Sequence, residues 1–222
     1  MSIYYYATFA PVPLPPEEVA QRLAALLDEL GSRMAPDVDE LVWERGRFVY
    51  TMEERESGSL QEALKSLGEG RGVEVHFDWL RRSCSFLVWR DLPGHLTVTF
   101  CEPGSLFEQQ QGESRSRQEL AALLLELLRR LEADFCILEA ESVFRSRIQG
   151  ELMQWLDELP QSGGRDWAMV LARSDAVPID RLPKALRKSG SFRYWAAHHL
   201  WGLSLLGDMG LIYPGLPKAP PK

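Results

Sequence analysis

Cysteine is scarce. Cys84, Cys101 and Cys136 are the only three in 222 residues, an odd number without CxxC spacing, which argues against both a disulfide framework and a cysteine-based zinc site. A reducing compartment, the cytoplasm, is the expectation. No apolar stretch approaches the roughly 20 residues of a membrane helix. The opening Met1-Ser2-Ile3-Tyr4-Tyr5-Tyr6 also lacks the basic start and apolar core of a signal peptide, so no membrane role is expected. Positive charge is short as well: 25 Lys and Arg against 32 Asp and Glu give a net charge of −7. A surface of that sign repels phosphate backbones, which makes nucleic acid an unexpected partner and favours a protein with a basic surface. Repeats and low-complexity tracts are absent, and the proline-rich tail from Pro214 to Lys222 is expected to fray.

What is present fits an ordinary folded domain. An apolar fraction of 45% and a charged fraction of 26% match globular averages, and a chain of this length buries roughly 70% of its unfolded surface. Neither metal nor disulfide is required for stability. The reading is α+β: an antiparallel meander with flanking helices, its N-terminal half packed on a mixed helical C-terminal half. Residues 1–222 are read as a single compact unit with a possible subdivision into 1–102 and 116–213.

Several elements declare themselves. Ile3 to Phe9 is β-branched and aromatic, and the prolines from Pro11 to Pro16 are expected to stop this strand and open a helix. That helix carries Val19, Leu23, Leu26, Leu27 and Leu30 at helical spacing, Glu17 and Glu18 in its first turn, and Gly31 at its end. Leu41-Val42-Trp43 and Phe48-Val49-Tyr50 flank a short reversal and read as a hairpin. Ser59 and Glu62 form a capping box before the stripe Leu60, Ala63, Leu64 and Leu67. Val73 to Trp79, Cys84 to Trp89 and Leu96 to Phe100 alternate as strands of a meander, with turn chemistry from Arg90 to Gly94. Glu102 to Arg115 lacks an apolar period and reads as a linker. Ser116 and Glu119 form a second capping box before Leu120, Leu123, Leu124, Leu127, Leu128 and Leu131. Strands are predicted at Phe135 to Leu138 and Trp167 to Ala172, and helices at Phe144 to Leu159 and Asp180 to Ser189. Phe192, Trp195, Ala196, His199, Leu200 and Leu203 follow helical spacing, with strand as the alternative because of the aromatics.

The chemistry-bearing residues are dispersed. Asp134, Glu139 and Glu141 could present carboxylates to a divalent metal at a strand end, the basis of an alternative reading as a metal-dependent hydrolase or nuclease. No lysine follows the acidic pair, as a restriction-type site would want. His76 and Asp78 share one face of a predicted strand, where an imidazole and a carboxylate could tune each other, although solvated strand residues look the same. His198 and His199, adjacent, do not easily chelate one ion. Gly202 to Gly207 is one residue too long for a serine-hydrolase elbow, and Gly68 to Gly72 stands in the wrong order for a dinucleotide turn. Arg181, Lys184, Arg187, Lys188 and Arg193 read as a solvated basic face. No catalytic residue, cofactor site or metal site is assigned. In the acidic segment around the hairpin, Trp43, Glu44, Glu53, Glu54 and Glu56 could combine long-range attraction with an aromatic anchor, the pairing expected where a basic protein is captured, although a solvated loop beside a core tryptophan reads the same way.

Three segments carry a family resemblance: Tyr4-Tyr5-Tyr6 ahead of the Glu17-Glu18 helix, Trp43 with Gly46-Arg47, and Asp166-Trp167-Ala168-Met169-Val170-Leu171-Ala172 leading to Pro178 and Leu182-Pro183. In these the chain resembles immunity proteins of bacterial polymorphic toxin systems. The resemblance implies an inhibitor that binds a cognate toxin and covers or distorts its active site, with no catalytic residues of its own. It also implies a strand where Phe192 to Leu206 follows helical spacing. The resulting expectation is stoichiometric protein binding, with a structural subunit of a larger assembly as a further alternative.

Overall fold

The strand at the N-terminus becomes the middle of the molecule. The computed structural model describes residues 4–32, 34–44, 47–50, 60–65, 67–68, 70–80, 82–92, 95–103, 114–140, 167–177, 192–197 and 199–205. In it β1 (Tyr4–Val12) pairs on one side with β6 (His95–Pro103) and on the other with β7 (Phe135–Ala140), both antiparallel. Around it lie β2 (Met34–Glu44), β3 (Arg47–Tyr50), β4 (Arg71–Trp79), β5 (Arg82–Leu92), β8 (Trp167–Arg173), β9 (Phe192–Ala197) and β10 (Leu200–Leu205). The ten strands form one sheet in the order β3-β2-β4-β5-β6-β1-β7-β8-β10-β9. The α+β class with an antiparallel meander is therefore what the chain adopts. The N- and C-terminal parts meet edge to edge through β1 and β7.

Alternation decides which face is packed. Val75, Phe86, Phe100, Ala7 and Leu138 lie directly opposite one another on successive strands and share one buried cluster. Three helices contribute to it: α1 (Pro16–Glu29), α2 (Leu60–Lys65) and α3 (Ser114–Arg130). On α3 the leucines Leu120, Leu123, Leu124, Leu127 and Leu128, with Leu131 just beyond, form the buried stripe that their spacing predicts. Each fully buried leucine contributes about 2 kcal/mol of transfer free energy, so this stripe joins the C-terminal part to the same buried cluster that holds Phe9 and Phe100 of the N-terminal part.

Helix α1 starts after Pro15 with proline at its first position and Glu17 and Glu18 in its first turn. It ends in a Schellman motif, in which Ser32 N–H donates to the Leu27 carbonyl and Gly31 N–H to that of Asp28. Gly31 sits at φ +66, the left-handed conformation this ending requires. Leu30, which spacing assigns to the buried stripe, is exposed, because it is the capping residue where the helix leaves the sheet. Arg22 then ties α1 to α3 by donating to the Arg130 carbonyl and, at 2.9 Å, to Glu132, while Arg130 reaches Glu29 at 2.6 Å.

Four expectations are corrected. β1 runs through Pro11 to Val12, absorbing the proline in a register shift after Phe9. Glu102 belongs to β6 and Ser114 already opens α3, so the supposed linker is shorter and Ser116 stands inside the helix rather than capping it. Phe192 to Leu205 is the hairpin β9–β10, with Ala197 opposite Leu200, as the family resemblance implied and helical spacing did not. Its reversal places His199 at φ 67, a turn made without glycine or proline and so without the usual sequence mark. The helices expected at Phe144 to Leu159 and Asp180 to Ser189, the cap at Ser59 and the tail from Pro214 lie outside the described residues.

Candidate functional site on the helix-free face

The opposite parity of the same strands builds a second face on which none of the described helices packs. His76, Ser85, Cys101, Tyr6 and Glu139 stand in one cross-strand row from β4 to β7. Beside His76 on β4 is Glu74, whose direct partner on β2 is Asp39. This face is wet at one end and dry at the other. Asp39 and Asp78 are exposed and His76 is half-buried, whereas Thr97, Thr99, Ile137, Val170 and Ala172 are buried.

At the wet end the side chains engage one another. His76 Nε2 lies 3.2 Å from Asp39 Oδ2, and the Ser85 hydroxyl donates to Glu74 Oε1 at 2.6 Å. Sequence parity placed His76 beside Asp78; the closer partner is Asp39, because pairing β2 with β4 brings it alongside. A histidine, a serine and two carboxylates thus meet, yet they are not wired as a catalytic triad: the serine proton is held by Glu74, not by His76. Cys101 is not an activated nucleophile either. Burial, then the Glu74 carboxylate, push its thiol up to about 12, which keeps it protonated near neutrality.

The hairpin singled out by sequence occupies one end of the sheet order. Trp43 pairs with Phe48 and Glu44 with Arg47 across β2–β3, and the same strand carries Asp37, Asp39 and Glu40. The structure thus brings Trp43 and Glu44 onto the strand that also bears the Asp39 cluster. Glu53, Glu54 and Glu56 lie outside the described residues.

The alternative carboxylate set does not come together. Asp134 stands at the entry to β7 and Glu139 near its far end, a separation of roughly 16 Å at 3.3 Å per residue. One ion bound at about 2.0–2.6 Å cannot hold both. Glu141 lies outside the described residues. Asp134 instead belongs to a structural turn, where burial raises its carboxyl pKa and Arg173 opposes that rise. Arg173 binds Asp175 through both side-chain oxygens, at 3.1 and 2.5 Å, and holds that carboxyl below its usual range.

One buried ion pair was missed. Glu102 is 1% exposed and accepts from Arg82 at 3.2 Å on the helix-packed face. The alternation Leu96, Val98, Phe100 continues to Glu102, so its inward parity was readable had the strand been extended by one step.

No known family description matches the chain, and no curated protein does. Among solved structures it is similar to the Pseudomonas aeruginosa T6SS protein PA0821, at TM-score 0.39 and 12% identity, over 91% of this chain and 64% of that one. The chain spans less than two thirds of that protein's length. A likeness of this degree assigns neither fold nor function. Among the described residues no helix is long and apolar enough to cross a membrane, and all three cysteines are free.

Proposed function

We propose that the chain is a stoichiometric protein-binding inhibitor of the immunity type, which neutralises a cognate bacterial toxin in the cytoplasm by covering it with an acidic surface. The observation that carries this reading is the position of β2: it places Asp37, Asp39, Glu40, Trp43 and Glu44 on one strand of the β2–β3 hairpin, which closes one end of the sheet. Exposed Asp78 continues the negative charge onto the neighbouring strand β4. Such a surface accelerates encounter with a basic partner through long-range attraction, while an aromatic residue within it supplies the contact that slows dissociation. Glu53, Glu54 and Glu56 follow the hairpin in sequence and belong to the same proposed surface.

The test is capture from a lysate of the native cells with the tagged chain, followed by mass spectrometry and a toxicity assay. The expected result is one protein recovered at close to one copy per chain, toxic when expressed alone and harmless when co-expressed with the chain. Recovery of no such protein, or of one whose toxicity co-expression does not relieve, contradicts the reading.

A further inference from the structure

Two carboxylates and an imidazole converge where β2 and β4 run side by side on the helix-free face. Asp39 and Glu74 are direct cross-strand partners, and His76 follows two residues along β4. One oxygen from each carboxylate and one ring nitrogen all lie within 4.8 Å of one another. We propose that Asp39, Glu74 and His76 bind one divalent transition-metal ion of the zinc class.

The geometry suits an ion. Two ligand atoms on a tetrahedral ion with bonds of about 2.1 Å stand roughly 3.4 Å apart, close to the 3.2 Å between His76 Nε2 and Asp39 Oδ2. The chemistry of the donors selects its class, since an imidazole with carboxylates suits zinc and its neighbours, whereas calcium and magnesium take oxygen alone. The ladder supplies a driving force: like charges directly opposite across two strands repel, and a dication between Asp39 and Glu74 reverses the sign of that interaction. Orientation is provided from outside the ligand set, because the buried Ser85 hydroxyl fixes Glu74 by donating to Oε1, the role that outer-shell partners play at metal centres. All three ligands project from paired strands rather than loops, which holds their spacing. Three protein ligands leave a further position for water or for a side chain of a bound protein.

The site shares Asp39 with the proposed acidic surface, but it does not rest on the inhibitor reading and its test needs no partner. The full chain, freed of metal by chelator, is titrated with zinc by calorimetry and with cobalt(II) by visible absorption. The expected result is one ion per chain, with cobalt bands that show ring-nitrogen ligation. His76→Asn and Glu74→Gln each weaken binding at least about tenfold, Ser85→Ala weakens it about tenfold, and the exposed His199→Ala leaves it unchanged. Asp39→Asn, at an exposed position, carries the same expectation as the β4 variants and keeps the test decisive where one of those unfolds. Absence of saturable binding at one ion per chain overturns the proposal, as does binding that persists unchanged in folded His76→Asn and Asp39→Asn.

Discussion

Val75, Phe86, Phe100 and Ala7 form one cross-strand row, and His76, Ser85, Cys101 and Tyr6, each one residue away in sequence, form another on the reverse of the same four strands. The first row is a helix-covered core in which Phe86 stacks on Phe77 with ring centroids 4.7 Å apart and lies 5.8 Å from Phe100. The second is a chain of hydroxyl, thiol and imidazole groups, buried at Ser85 and half-buried at His76, Cys101 and Tyr6. Rows this close share backbone, twist and neighbours, so what separates them is only what each parity must contact. The helix-packed row supplies the burial that holds the sheet together. That frees the reverse parity to carry polar and charged groups at fixed spacing.

The sharpest way to break this division is to damage the packed row. Phe86→Ala should cost about 4 kcal/mol in chemical denaturation, since it leaves a cavity beneath Phe77 and Phe100 that aromatic neighbours fill poorly. A loss below about 1 kcal/mol would mean that the two faces are packed alike. Arg82→Leu should cost about 2–3 kcal/mol, because it strips an ionic partner from buried Glu102; a neutral result would show that Glu102 is held sufficiently by its other contacts.

The thiols probe both faces together, Cys84 on the packed side and Cys101 on the reverse. Burial is the leading cause of both shifts, to about 12. A thiol whose pKa is higher in the folded than in the unfolded chain stabilises fully below the unfolded value, and that stabilisation is lost as pH rises towards the folded one. Fully buried Cys136 is shifted the same way, so unfolding free energy should fall between pH 8.5 and pH 10 by about 1 kcal/mol for each of the three thiols. The drop should be reduced by about a third in Cys101→Ala and absent if the thiols titrate normally. The smallest effect is on the polar row itself: Ser85→Ala should cost about 1 kcal/mol, one hydrogen bond to a carboxylate, measured by the same denaturation series.

How far the fold could be read from sequence depended on the range of the interaction. Local periodicity located α1, α2, α3, the β2–β3 hairpin and the meander, because Leu120 to Leu131 or Val73 to Trp79 carry their own pattern. The β9–β10 hairpin was concealed for a physical reason. Phe192, Trp195, Ala196, His199 and Leu200 fit a helical stripe as well as two short alternating strands, and the reversal between them uses a positive φ at His199 instead of glycine. The Asp39–Glu74–His76 cluster was half legible. His76 was recognisable as an outward strand residue, but its partner comes from β2, which reaches β4 only after β3 and α2 intervene in the chain. Asp134 and Glu139 show the reverse error, near in sequence yet set apart by an extended strand.

The central claim, that negative charge on β2 and its neighbours holds a basic protein, is tested most directly by repeating the lysate capture with an Asp39→Lys, Glu44→Lys double variant at low and physiological salt. The account predicts near-stoichiometric capture by the unaltered chain that weakens as salt rises, and at least about a tenfold loss with the folded variant. Equal capture by both proteins, insensitive to salt, would contradict it.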